Sequence, residues 1–167
     1  MSGARIFVGL GANLGDPVGT FGQAVEKLQD AGCRLSGKSD LYRSKPYGYA
    51  DQPDFINAAI EISSALDPVR LLVLLQGIEK ELGKKISRTN GPRVIDLDLL
   101  LYGDVIRDRP AHPPILPHPG VLQRDFVLLP LCDLAPGFRH PVRRKPLEEH
   151  IPGLGQTFNT GAMEAWP

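Results

Sequence analysis

The chain alternates short apolar runs with stretches that repeat apolar residues every three or four positions. Ile6-Phe7-Val8-Gly9-Leu10 is an apolar run that ends in glycines, and it predicts a buried strand. Asp16 suits a helix N-cap and Pro17 the first helical position. Val18, Phe21, Val25 and Leu28 then step along one face of a helix that Gly32 stops. Residues 35–43 predict a second strand. Residues 44–53 hold two prolines, a glycine and two tyrosines, and predict an aromatic loop. Residues 55–63 predict a third strand. Its alternation puts Ile56, Ala58, Ile60 and Ile62 on one face and Phe55, Asn57, Ala59 and Glu61 on the other. Asp67-Pro68 repeats the cap signal, and Leu71, Leu75, Ile78 and Leu82 mark a second helix ending at Gly83. Residues 84–92 predict a polar, basic loop and residues 94–102 a fourth strand. Prolines at 110, 113 and 114 mark a further loop. Residues 126–134 predict a helix, and the tail from Pro136 predicts irregular structure with at most a short helix.

The order is strand-helix-strand twice over, which predicts an α+β fold. The expected form is a ferredoxin-like split βαβ sandwich with an antiparallel sheet and long active-site loops. With 167 residues and no shift in composition, the chain is read as one domain, 1–167. Lys+Arg and Asp+Glu both number 19, which argues against broad nucleic-acid or membrane-surface binding. The 18 glycines and 16 prolines predict ordered turns and long loops. Two cysteines, Cys33 and Cys132, make neither a disulfide framework nor a zinc site. No apolar run is long enough to span a bilayer, and the first residues lack signal-peptide architecture. A cytoplasmic, monomeric protein is expected.

The sharpest chemical feature is Gly91-Pro92-Arg93-Val94-Ile95-Asp96-Leu97-Asp98-Leu99-Leu100-Leu101. Alternation puts Ile95, Leu97, Leu99 and Leu101 on one face, and Asp96 and Asp98 together on the other, about 7 Å apart along the strand. Two like charges on one face of an apolar strand need compensation, and hard carboxylate oxygens suit Mg²⁺. The bland reading leaves both carboxylates facing water on an edge strand; the neighbouring residues favour the metal. Gly9-Leu10-Gly11-Ala12-Asn13-Leu14-Gly15 is better read as a tight turn and N-cap than as a dinucleotide loop, because no acidic residue closes a second parallel strand. No P-loop motif occurs. Lys84, Lys85, Arg88, Arg93, His118 and Arg124 form a basic set that could clamp polyphosphate, although loop lysines are also commonly just solvated. His118 lies in the stiff Leu116-Pro117-His118-Pro119 and reads equally as structural or functional. Gln76 and Glu79 share a helix face with Leu72, as a polar flank or a binding face. Asn57 could read a heteroaromatic amide edge, with Phe55 or Phe126 stacked on the ring, if the two rings are not core.

Taken together these stretches resemble 6-hydroxymethyl-7,8-dihydropterin pyrophosphokinases of folate synthesis. The matching segments are residues 8–16, Tyr42-Arg43-Ser44-Lys45-Pro46, Asp51-Gln52-Pro53-Asp54-Phe55-Ile56-Asn57-Ala58, residues 91–101, Leu116-Pro117-His118-Pro119 and residues 124–131. They run in family order over roughly residues 5–135. The resemblance implies a ferredoxin-like core whose loops close over two substrates, ATP and the hydroxymethyl pterin. It implies two Mg²⁺ ions on Asp96 and Asp98, and a catalytic set of Asp96, Asp98, Arg93, His118 and Arg124. Ser44, Pro46, Tyr47, Phe55, Asn57 and Phe126 are then the pterin residues. Leu72, Gln76, Glu79, Lys84, Arg88, Arg93, Leu99, His118 and Arg124 are the nucleotide residues. The chain departs from many members after the second helix, where Lys84 and Ile86 stand at places commonly held by arginine and Asn90 at one commonly held by tryptophan. Residues 110–115 also lack an Arg and a Thr that some members use near the nucleotide. The expected activity is transfer of pyrophosphate from MgATP to the pterin alcohol with release of AMP. The alternatives are a non-catalytic pterin- or nucleotide-binding module, and a Mg²⁺-dependent phosphotransferase acting on another small alcohol.

Overall fold

The structure, a computed structural model, describes residues 3–46, 48–84, 91–155 and 157–167. Its elements follow in the order β1 (Ile6–Ala12), α1 (Pro17–Asp30), β2 (Arg34–Lys38), β3 (Leu41–Ser44), β4 (Phe55–Ser63), α2 (Pro68–Glu81), β5 (Asp96–Tyr102), α3 (Asp125–Leu134) and β6 (Asn159–Glu164). Two 3₁₀ helices, Pro119–Leu122 and Leu147–Gly153, flank α3 in sequence. Both long helices start where the cap signals stand: Asp16 accepts the Gly19 N–H and Asp67 the Arg70 N–H. Both end in a glycine at positive φ, Gly32 at 91° and Gly83 at 98°.

The sheet order is β5-β1-β4-β3-β6, with β2 also on β4, and every pairing is antiparallel. This is the split βαβ arrangement with the expected second strand divided in two. Residues 35–43 were expected as one strand; Ser39 and Asp40 break it into β2 and β3. Ser39 bonds both ways to Ala59 of β4, its N–H to the Ala59 carbonyl and its Oγ from the Ala59 N–H. A hydroxyl thus replaces a ladder contact and lets the strand jog without stranding a backbone group.

Three layers result. Helices α1 and α2 cover one face, with Phe21, Leu28, Leu71, Leu75 and Ile78 packed on Ile6, Val8, Leu10, Ile60, Leu97 and Leu99. Helix α3 covers part of the other, with Leu128 and Leu131 on Phe7, Ala59, Leu100 and Leu101. The expectation that Leu101 shares a face with Leu97 and Leu99 is overturned. Phe7 pairs with Leu101 but Val8 pairs with Leu99, so Leu100 is one residue too many. This bulge shifts the phase and turns both Leu100 and Leu101 to the α3 side. Two more corrections follow from the ends of elements. The fourth strand begins at Asp96 rather than residue 94. The tail, expected without strands, forms β6 on the free edge of β3 and carries Trp166 back to Phe21, ring centroids 5.8 Å apart. Among the described residues no helix is long and apolar enough to cross a membrane. Asp67→Ala removes the cap of α2 and should lower stability by about 1 kcal/mol, read from a urea midpoint that moves with an unchanged slope.

Candidate active site

Gly9 lies in β1 as the strand reading placed it, and Gly11, read as part of a tight turn, also lies within β1; both face the α3 side. The register places Gly11 opposite Asp96 on β5 and opposite Asn57 on β4, and Gly9 opposite Asp98. A bare strip of backbone therefore separates Asn57 from Asp96. Two inter-strand spacings put them about 10 Å apart. This strip floors a cleft of roughly 760 Å³, counted to its open mouth. Ser44, Phe55 and Asn57 line it on one side, and Arg93, Asp96 and Asp98 on the other. Arg124 and Phe126, from the start of α3, also line it.

Asn57 is buried, and its amide donates to Ser44 Oγ at 2.8 Å and to the Tyr42 carbonyl at 3.2 Å. These bonds fix which end of the amide is nitrogen. Its Oδ1 lies beside Gly11, 3.4 Å from where a Cβ would stand. Phe55 and Phe126 are half-buried at the cleft wall rather than in the core.

The two aspartates differ. Asp96 Oδ1 meets Lys84 Nζ at 2.8 Å and Arg93 Nε at 3.5 Å. Lys84 also meets Glu79 Oε2 at 3.0 Å. Burial alone would lower the Lys84 pKa, but Asp96 and Glu79 outweigh it and raise it. Glu79 is buried on α2 and accepts the Leu97 N–H at 2.7 Å. Burial pushes its pKa up, against the Leu97 N–H and Lys84. Among the described residues Asp98 has no ion-pair partner within salt-bridge distance. Its side chain is exposed, but to the water of the cleft only, with protein crowded around the carboxylate. That desolvation first, and the charge of Asp96 second, push it up to about 6. His118 caps the 3₁₀ helix: its Nδ1 accepts the Gly120 N–H at 2.9 Å, and its backbone N–H donates to the Leu100 carbonyl at 2.9 Å. Burial, aided by Arg124, pulls the ring down to about 4, so at neutral pH it is uncharged and carries its proton on Nε2.

Not every expected residue gathers here. Leu99 packs in the core on the helix side, so only its backbone on the sheet edge could meet a ligand. Glu79 is occupied holding Leu97 and Lys84. Leu72, Gln76 and His118 lie outside the cleft lining, with Gln76 exposed on α2. Pro46 is half-buried in the loop after β3. Tyr47, Lys85 and Arg88 fall outside the described residues.

Two residues were missed. Asn13 is buried where β1 ends, and joins three segments. Its amide donates to Gln52 Oε1 and to the Pro53 carbonyl, both at 2.9 Å, and its Oδ1 accepts the Arg93 N–H at 2.8 Å. Its own N–H donates to the Arg93 carbonyl at 3.1 Å. The only signal for this in the sequence was a polar residue directly after a buried strand. Lys45, which lines the cleft, also went unremarked as a site residue.

The family model for 7,8-dihydro-6-hydroxymethylpterin-pyrophosphokinase matches residues 7–136. The chain belongs to this family. It is 39% identical over 150 residues to a 2-amino-4-hydroxy-6-hydroxymethyldihydropteridine pyrophosphokinase of Aquifex aeolicus, covering 89% of this chain and 91% of the relative. A protein of the same name from Pseudomonas aeruginosa is 41% identical over 153 residues, covering 90% and 89%. Among solved structures, a Plasmodium falciparum HPPK-DHPS chain superposes with a TM-score of 0.67 over 90% of this chain and 44% of its own length. At 14% identity that likeness speaks for the fold. Membership makes the chain a pyrophosphokinase of folate synthesis acting on small-molecule substrates, with ATP as co-substrate.

The pKa of Asp98 gives a test of sign. A carboxyl raised to about 6 in the fold, from about 3.9 unfolded, costs stability as it ionises; the cost grows between those values and is full above them. In chelator, Asp98→Asn should therefore melt above the parent at about pH 7.5, with the gap closing by about pH 4. A variant no more stable at the higher pH would mean that Asp98 is not strained by its setting.

Proposed function

We propose that this chain transfers the β,γ-diphosphate unit of MgATP to the hydroxymethyl oxygen of 6-hydroxymethyl-7,8-dihydropterin and releases AMP. The observation that carries the reading is the row Asp96–Gly11–Asn57, which sets a carboxylate and a ring-reading amide at two ends of one glycine floor. Asn57 would hydrogen-bond the pterin edge, with Ser44 fixing its amide and Phe55 and Phe126 beside the ring. By the family resemblance Pro46 and Tyr47 would also meet the pterin.

Asp96 and Asp98 suit Mg²⁺. Among the described residues Asp98 opens to the cleft without an ion-pair partner, and Asp96 meets Lys84 and Arg93 through Oδ1. Among the described residues no group of three or more His, Cys, Asp or Glu could hold a metal by itself. That is the pattern of an ion completed by phosphate oxygens and water rather than caged by protein. Two such ions would neutralise the phosphates and orient the transferring group. Arg93 and Arg124 supply fixed positive charge to the phosphates. His118 supplies an uncharged Nε2–H donor, not the positive charge expected of it. The hydroxymethyl oxygen bonds to the β-phosphorus while the bond to the α,β-bridging oxygen breaks; Asp98 accepts the hydroxyl proton. Gln76 and Leu72 on α2, with the Leu99 backbone, would meet the nucleotide beyond the cleft. The same reading takes the chain as a single-domain monomer of the cytoplasm.

Two measurements test this. With ATP, Mg²⁺ and the pterin alcohol, phosphorus NMR should show AMP and a pterin diphosphate in equal amounts; ADP with a pterin monophosphate would refute the transfer, and no product would favour a binding module. Asn57→Ala should weaken pterin binding by about 1–3 kcal/mol and ATP binding much less, since it leaves buried polar partners unmatched. Equal calorimetric losses for both ligands would give Asn57 a general structural role instead.

A further inference from the structure

The family match ends at residue 136, yet the chain returns after it to pack behind residues that line the cleft. Asp125 is buried between Arg124 and Phe126, which both line the cleft. Its Oδ2 accepts the Phe158 N–H at 3.0 Å and the Asn159 N–H at 2.8 Å. Two N–H donors on one carboxylate oxygen make a strong, oriented latch. The Phe158 carbonyl accepts the Lys45 N–H at 2.8 Å, next to Ser44. Asn159 stands opposite Ser44 in the β3–β6 register. The Phe158 ring meets Phe126 edge-on, with centroids 6.1 Å apart and planes at 82°.

A strand that merely covered the free edge of β3 would need only the ladder from Asn159 onward. The latch sits instead at the rim of the cleft, on the residue just before β6, and the far end of the tail has its own anchor. Trp166 packs on Phe21, and Lys38 Nζ lies 5.2 Å from its ring centre. We propose that the C-terminal strand is a working support behind the wall of the pterin pocket. Asp125 and Phe158 are its positioning residues: they hold the Phe126 ring and the Ser44–Asn57 pair where the pterin meets them. This rests on the pterin reading above.

The test uses the full chain and pterin alone, so it does not depend on turnover. Phe158→Ala removes the ring but keeps the backbone donors to Asp125. Calorimetry should show pterin binding weakened about three- to tenfold, with ATP binding held within about twofold, as the loss of one aromatic contact predicts. Phe158→Tyr, which keeps the ring, should restore it. In turnover, KM for the pterin should rise while kcat holds. Trp166 is the sole tryptophan, and its unshifted emission should show the tail still docked. Unchanged pterin affinity in Phe158→Ala overturns the proposal, as does an equal loss of both ligands with a shifted Trp166 emission. If the parent chain itself binds no pterin, the functional reading fails and this one with it; if the parent binds and the variant matches it, only this one fails.

Discussion

The site depends on holding two carboxylates on one face of an edge strand without letting them repel the strand apart. The chain solves this unequally. Asp96 is neutralised by Lys84 and Arg93, while Asp98 is left to the cleft. Lys84 can serve because the glycine turn at the end of α2 folds the chain back, its N–H reaching the Glu79 carbonyl at 3.0 Å. The Glu79 carboxylate then grips both the lysine and the Leu97 N–H. A buried acid on a helix thus sets the charge of one aspartate and the position of the strand carrying both. Its own desolvation cost is offset by those partners.

Absence of side chains matters as much as their presence. With Gly9 and Gly11 in the middle strand, nothing rises between the Asn57 end and the Asp96 end of the floor. A Cβ at Gly9 would meet Leu100 at 3.1 Å, and one at Gly11 would stand in contact with Asn57 Oδ1 at 3.4 Å. The floor alone does not align the loops above it. Asn13 does that, since one amide bonds the Gln52–Pro53 segment on the pterin side and the Arg93 segment on the phosphate side. A shift in either is felt by the other through a single buried side chain.

What was legible in the sequence follows from locality. The caps at Asp16 and Asp67, the alternation of residues 55–63 and the Asp96-x-Asp98 spacing are each written within a few neighbours, and the resemblance joined them in order. The bulge at Leu100 was not legible, because Leu99-Leu100-Leu101 is apolar whichever face each takes, so period-two reading had no contrast to work with. Strand β6 was missed for a different reason: it exists only as a partner to β3, in a segment whose Asn, Gly, Ala and Glu give it little strand propensity of its own. The state of His118 also lay beyond the sequence. A histidine in a proline-rich turn reads as a candidate cation until its Nδ1 is found accepting a backbone N–H and its ring buried near Arg124.

That uncharged histidine changes the electrostatic balance of the cleft. Lys45, Lys84, Arg93 and Arg124 supply the cations in and behind it, and Glu79, Asp96 and Asp98 the anions. Among the described residues the sum is one positive charge, against roughly four negative charges on ATP. On the function proposed above, most of the nucleotide's charge would then be met by cations that arrive with it. Asp96 and Asp98 would be the carboxylates such cations meet. A cleft with enough fixed positive charge to hold ATP unaided would hold AMP and pyrophosphate chains alike. Leaving the deficit to bound ions would tie tight binding to the polyphosphate that carries them, and would loosen it once that polyphosphate had left with the pterin.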